Sequence, residues 1–300
     1  MSALFREFEK SIDELEKKGR KLAAFILEPM FVIPGVHLPP ASCIQAIFRC
    51  IQSRGGLVIV DEVQTGLGRT GDHMWGFMHY EVVPDIVTIG KPMGNGYPMG
   101  GVICSQKLAN SLRGYYSTFG GNPVSCSIGL SVLEIVNNEK LTTSAKMVGK
   151  FLKTEFQKIM ISHQILGDFR GLGLLFSLEI VESKTSKTPA PELATEAMYG
   201  LKFHNVLVAI TGRQKNILLI TPPMCFNIEN ARRLCKNLDD VLRTIEQNLE
   251  NKSVIVARPG INVTTSQRFK RSAELEGNEE SLISKRSRVS ESEDRYNDMD

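Results

Sequence analysis

The sequence predicts an α/β fold with a mainly parallel sheet, on three observations. Apolar runs too short for helices, Leu22–Leu27, Leu57–Val63 and Ile86–Ile89, alternate with segments of helical apolar spacing. Two of these runs deliver an ionisable residue at the same end: the second closes on Asp61 and Glu62, the third on Lys91 in a Gly/Pro-rich turn. The ends of buried strands are where open α/β sheets place their ligands.

Taken in order, Met1–Lys21 carries Leu4, Phe8, Ile12 and Leu15 at helical spacing with acids and lysines between them. That is an amphipathic helix of a globular domain, unlike a signal peptide or an acid-poor transit peptide. Leu22–Leu27 reads as a buried strand ending in Glu28-Pro29, followed by a loop, Ile33–Ala41. Ser42–Ser53 presents Ile44, Ile47, Phe48 and Ile51 on one helix face, and Gly55-Gly56 stops it. Strands Leu57–Val63 and Ile86–Ile89 flank a glycine-punctuated loop, Thr65–Pro84. Gly101–Cys104 reads as a strand, Gln106–Arg113 as a helix and Tyr115–Pro123 as an irregular loop. Two helices follow, Val124–Asn138 and a longer one to Ile161.

Shorter elements come next: a strand Gly171–Val181, a helix Ala190–His204, strands Val206–Ile210 and Ile217–Thr221, and a helix Ile228–Leu249. Ala231, Leu234, Leu238, Val241, Leu242 and Ile245 share one face of the last helix. The expected organisation is a large domain over 1–150, a small α/β domain over 151–250 and a disordered tail over 251–300. In that tail Ser, Glu, Lys and Arg dominate, too polar to offset the entropy of ordering. Lys285-Arg286-Ser287-Arg288 reads first as a solvated charge run, and as an import or phosphate-contacting patch second.

Composition narrows the function classes. The chain is 42% hydrophobic and 23% charged, with a formal net charge of +3, so global charge gives no argument for nucleic acid. Its 6 cysteines include no C-x-x-C pair, which argues against a structural zinc site or a disulfide framework. No apolar run approaches the length of a membrane span.

Asp61 and Lys91 carry the chemistry. Singly, Asp61 reads as a strand-end acid capping a helix or pairing an arginine, and Lys91 as a solvated loop lysine. Jointly, an acid and a lysine at similar strand ends suit the two ends of a pyridine cofactor. The acid keeps the ring nitrogen protonated, and the lysine bonds the aldehyde of pyridoxal phosphate. The lysine needs a lowered pKa, which a snug, partly desolvated turn would supply.

Several motifs then resemble the class III pyridoxal-phosphate aminotransferases of fold type I. They are Ala24-Phe25-Ile26-Leu27-Glu28-Pro29, Asp61-Glu62-Val63-Gln64-Thr65-Gly66-Leu67-Gly68-Arg69-Thr70-Gly71, Pro84-Asp85-Ile86, Gly90-Lys91, Thr118-Phe119-Gly120-Gly121-Asn122-Pro123 and Arg170-Gly171-Leu172-Gly173. The resemblance implies that Asp61 pairs with the pyridine nitrogen and that Gln64 contacts the ring hydroxyl side. It implies that Lys91 is the catalytic Schiff-base lysine and proton shuttle, and that Thr118 donates to the cofactor phosphate across a homodimer interface. It gives Arg170 a substrate carboxylate, with Glu28 as its partner when the carboxylate is absent; Arg170 also reads as a surface arginine in a turn. Lys91-Pro92-Met93-Gly94-Asn95-Gly96 and Pro222-Pro223-Met224-Cys225-Phe226 are similar to the phospho-lyase branch, which acts on ethanolamine phosphate or 5-phosphohydroxy-L-lysine by β-elimination. The alternatives are an alanine–glyoxylate type aminotransferase and an inactive dimer partner. The resemblance starts midway through the family's fold, so an N-terminally truncated large domain lacking the upstream phosphate-binding turn, and a weakly active or inactive chain, are expected. Many relatives are mitochondrial, which implies that compartment, with the cytoplasm as the alternative.

Overall fold

The computed structural model describes residues 3–256, and the side chains of residues 5–251. The first part contains α1 (Ala3–Lys17), β1 (Ala24–Leu27), α2 (Ala41–Ser53), β2 (Leu57–Asp61), β3 (Ile86–Ile89), β4 (Gly101–Cys104), a short α3 (Gln106–Ala109) and α4 (Pro123–Asn138). Then come α5 (Leu141–Ser162), β5 (Leu166–Leu172), β6 (Leu175–Ile180), α6 (Pro191–Phe203), β7 (Ala209–Thr211), β8 (Ile217–Ile220) and α7 (Ile228–Val256).

The strands form two 4-stranded sheets, ordered β1-β2-β3-β4 and β5-β6-β8-β7. In the first, β1, β2 and β3 run parallel, with Leu27 opposite Val60 and Asp61 opposite Thr88, while β4 is antiparallel to β3. Alternation along the strands decides what each face does. Leu27, Val58 and Val60 point into a core built with Phe5 and Ile12 of α1 and with Ile44, Ile47, Phe48 and Ile51 of α2. The opposite face holds Ile26, Ile59, Asp61 and Thr88, and Ile26 is 59% exposed. Parallel strands are ordinarily covered on both faces; among the described residues this face of the first sheet stays open.

The second sheet is antiparallel throughout. Its core joins Leu166, Leu174, Phe176, Leu178, Ile180, Leu218 and Ile220 to the apolar faces of α5, α6 and α7. A third cluster, Met30, Val32 and Val36 against Leu175, seats the loop after β1 on this sheet. The loop comes close enough to require glycine at one position. Gly35 has φ +130°, and a Cβ there would lie 2.5 Å from Ile217 Cδ1.

The structure differs from the sequence expectation at several places. The strand expected to reach Val63 stops at Asp61, because the Asp61 carboxylate takes the Val63 N–H at 2.9 Å and turns the chain. The single strand expected over Gly171–Val181 is a hairpin, β5–β6. It turns at Gly173 (φ +57°), where a Cβ would lie 2.4 Å from Arg69 O. Arg170 therefore sits within a strand and not in a turn. The helix expected to run to Arg113 ends at Ala109, and the last helix runs past Leu249 to Val256. Residue 150, where a domain border was expected, lies inside α5, whose Ala145, Val148, Leu152, Phe156 and Ile159 join the second core. The rest of the expected tail, with Lys285–Arg288, lies outside the described residues.

Candidate active site

Three parallel strands end at one edge of the first sheet and deliver Glu28, Asp61 and Lys91 there. The approach between β2 and β3 is close: a Cβ on Gly90 would sit 3.4 Å from Val63 Cγ2. The turn that begins at Lys91 thus lies against the residue two past Asp61. Asp61 is half-buried, and with Glu28 it borders a cleft of about 410 Å³ beside the open edge of β1, walled by Phe8, Phe25 and Phe31.

Asp61 uses Oδ1 on Val63 N, and no cation pairs with it among the described residues. An acid half-buried at the end of an apolar strand, with one oxygen uncommitted, is set to accept from a ligand N–H. That is the test for a pyridine cofactor, and the residues fit its ring end. Lys91 fits as an accessible amine. It opens a 3-10 turn, Lys91–Gly94, and is exposed, with no ion pair among the described residues. The snug, desolvated turn expected for it is therefore a correction: α4 packs against the turn, with a Cβ on Gly129 falling 3.8 Å from Met93 Cε, but Lys91 itself stays exposed.

Glu62, the second acid, does something else. A strand's period of two puts Asp61 and Glu62 on opposite faces, and Glu62 goes inside, 1% exposed. Its Oε2 accepts from Thr65 Oγ1 at 2.5 Å and from Gly76 N at 2.9 Å, and its Oε1 from Phe77 N at 2.8 Å. Glu62 thereby ties the start and the middle of the loop after β2 to one point. Burial pushes its pKa up, the three hydrogen bonds oppose that, and Asp61 nearby adds to it. Tyr80 closes the 3-10 turn further along this loop. Its hydroxyl donates to Pro29 O at 2.6 Å, which holds the turn after Glu28 in place, and burial raises its pKa to about 12. Sequence reasoning missed both as organisers, although an acid one position out of phase with Asp61 was the available signal for Glu62.

Gln64 is half-buried in the turn after β2. Thr118 is exposed in the loop before α4, where Ser117 Oγ accepts from Gly120 N at 2.8 Å and Asn122 Oδ1 caps the helix through Ser125 N at 3.0 Å. Tyr115 and Tyr116 beside it are 82% and 94% exposed. Glu28 and Arg170 do not meet. Glu28 Oε2 accepts from Val32 N at 3.2 Å, whereas Arg170 donates through Nη1 to Asp168 and Glu179 at 2.6 Å each and through Nε to Gly35 O at 3.1 Å. Arg170 Nη2 is closed off from solvent without a partner, so a carboxylate reaches it only if the Gly35 loop moves. The geometry brings Asp61, Lys91 and Glu28 to one edge and leaves Arg170 committed to the second sheet.

Comparison with known proteins matches this arrangement to one family. A family model described as aminotransferase class-III matches residues 2–242. A Drosophila melanogaster protein named alanine–glyoxylate aminotransferase 2-like is 34% identical over 94% of this chain and 59% of its own length. The human protein named alanine–glyoxylate aminotransferase 2, mitochondrial, is 39% identical over 69% of this chain and 41% of its own. An Arthrobacter phospholyase solved in complex with phosphoethanolamine superposes with a TM-score of 0.77 at 35% identity, over 80% of this chain and 57% of that one. The chain thus spans about half the length of the curated relatives it matches.

Proposed function

The chain belongs to the class III aminotransferases, a pyridoxal-phosphate-dependent family with this mixed α/β fold, and from that premise we propose that it serves a phospho-lyase acting on a small phosphorylated primary amine. The observation that carries the cofactor chemistry is an acid without a cation among the described residues, Asp61, and an exposed amine, Lys91, at adjoining ends of parallel strands; the likeness to a phospholyase favours the lyase over amino transfer. The phosphoethanolamine-bound relative supports ethanolamine phosphate as the amine, and 5-phosphohydroxy-L-lysine shares its reacting part.

When bound, pyridoxal phosphate supplies a carbonyl for the amine and a ring that holds an electron pair. Asp61 would keep the ring nitrogen protonated through its uncommitted oxygen. Gln64, in the turn beyond it, would hold the ring hydroxyl side, and Thr118 of the neighbouring copy would donate to the cofactor phosphate. Lys91 Nζ takes the proton from the carbon that bears the amine. Loss of that proton would let the neighbouring C–O bond break, with phosphate departing with its electrons. Hydrolysis completes the balance: phosphorylated amine plus water gives an aldehyde, ammonia and phosphate. Glu28 lines the cleft beside Asp61. Arg170 as a carboxylate ligand is the part of the expectation the geometry supports least, and ethanolamine phosphate has no carboxylate to require it.

The second reading is amino transfer by the same Asp61 and Lys91, which the names of the Drosophila and human relatives favour. For assembly, the exposed loop at Tyr115, Tyr116 and Phe119 supports a homodimer, with Thr118 serving the neighbouring copy. The name of the human relative supports mitochondria. As a working division, the cofactor lobe ends before α5 and the second lobe starts with it. The deciding experiment gives the cofactor-loaded chain ethanolamine phosphate with no keto acid. Phosphate and ammonia released in equal amounts support the lyase. Release of neither until a keto acid is added, followed by transfer of the nitrogen, supports the transaminase.

A further inference from the structure

Arg69 is a charged side chain that this reading leaves without a role. It lies in the loop after β2 and touches the second sheet. Its backbone oxygen accepts from Leu174 N at 2.9 Å, and its Nη1 donates to Leu174 O at 3.3 Å and to Pro222 O. No carboxylate pairs with it among the described residues. Nε and Nη2 have no hydrogen-bond partner there either, and neither is sealed in, because Arg170 Nη2 is the sealed orphan among the described residues.

Arg69 opens on a cavity of about 230 Å³. Pro92 and Asn95, from the turn that begins at Lys91, form one wall, and Met224 in the loop after β8 forms another. Leu141, the first residue of α5, also lines it. Among the described residues the single acid on the lining is Glu139, which is exposed, so water screens it. Burial lowers the Arg69 pKa, and no neighbouring acid counters that. A guanidinium stays charged in proteins. A shielded cation with free donors and no counter-ion therefore favours an oxyanion, which its planar fork matches.

We propose that this cavity is an oxyanion subsite, with Arg69 as its fork, that receives the phosphate of a small phosphorylated amine whose nitrogen is directed to the Lys91 edge. Calling that oxyanion the substrate's phosphate rests on the lyase reading; the cavity and its cation do not. The site adds a contact to the side of the substrate that leaves, and it sets a preference for phosphorylated amines over neutral ones.

The test titrates inorganic phosphate into the cofactor-free chain and follows ³¹P NMR line broadening. Saturable binding is expected, at least tenfold weaker in Arg69→Gln and partly retained in Arg69→Lys. Met224→Trp, which keeps the arginine and fills the cavity, is expected to weaken binding by a similar factor, and it decides the matter if Arg69→Gln does not fold. Thr118→Val should leave the binding intact. Absence of saturable binding, equal affinity in Arg69→Gln and Met224→Trp, or loss only in Thr118→Val overturns the proposal. Displacement by acetate at equal concentration overturns the phosphate assignment. Phosphate binding that depends on Arg69, in a chain that releases no phosphate from ethanolamine phosphate, sinks the lyase reading and leaves the subsite standing.

Discussion

Lys91→Ala is expected to lower turnover of ethanolamine phosphate by about 10²–10⁴-fold, the usual contribution of a positioned general acid–base group. It should also remove the visible absorbance of the lysine-bound cofactor. Lys91 follows β3 after Gly90, which packs on Val63, so it leaves the sheet at the strand end next to Asp61. It has no ion pair among the described residues, so its loss exposes no buried partner and should cost little stability. Activity and folding therefore separate in this variant. Comparable activity in Lys91→Ala would place the chemistry elsewhere.

Glu62→Ala is the converse case, with a large effect on stability. It leaves Thr65 Oγ1 and the amides of Gly76 and Phe77 without their acceptor in a buried place. At about 1–3 kcal/mol for each unsatisfied buried group, less what water recovers, the expected loss is about 3–5 kcal/mol. That corresponds to a drop of roughly 10 °C in Tm for a chain of this size. Trp75 emission should shift red at the same time, since Trp75 precedes Gly76 and packs on Gly66. The pH dependence has a definite sign. Because the folded pKa lies above the ordinary 4.5, the unfolded carboxyl ionises first. Glu62's titration contribution is complete below about that pH and is lost as pH rises through the raised folded value. A fall in Tm under about 2 °C would mean that the loop after β2 does not depend on Glu62.

Much of this was legible in the sequence, for identifiable reasons. Leu57–Asp61 and Ile86–Ile89 are continuous apolar runs closing on charged residues, and both are strands of one parallel sheet. The helix face Ile44, Ile47, Phe48 and Ile51 packs as its spacing indicates. What the sequence hid was mostly tertiary. Local pattern could not distinguish a strand from a hairpin over Leu166–Ile180, because the turn depends on Gly173 meeting the backbone of Arg69. Arg170 was read by its motif, yet its partners Asp168 and Glu179 are set by strand register. The exposure of Lys91 depends on what covers a sheet edge, which no local pattern records. Glu62 and Asp61 are neighbours of one charge type, and only the alternation of faces separates a ligand acceptor from a loop anchor.

The central claim is that Asp61 and Lys91 hold the two ends of one cofactor. The most direct measurement loads the chain with pyridoxal phosphate, reduces the lysine–cofactor bond with borohydride and maps the mass label to a residue, in wild type and in Asp61→Asn. The account predicts a label on Lys91. At a limiting cofactor concentration, labelling should fall by at least about 30-fold in Asp61→Asn, the lower end of what truncating one member of a shielded charge pair costs. A label on another lysine, or equal labelling in Asp61→Asn, would contradict it.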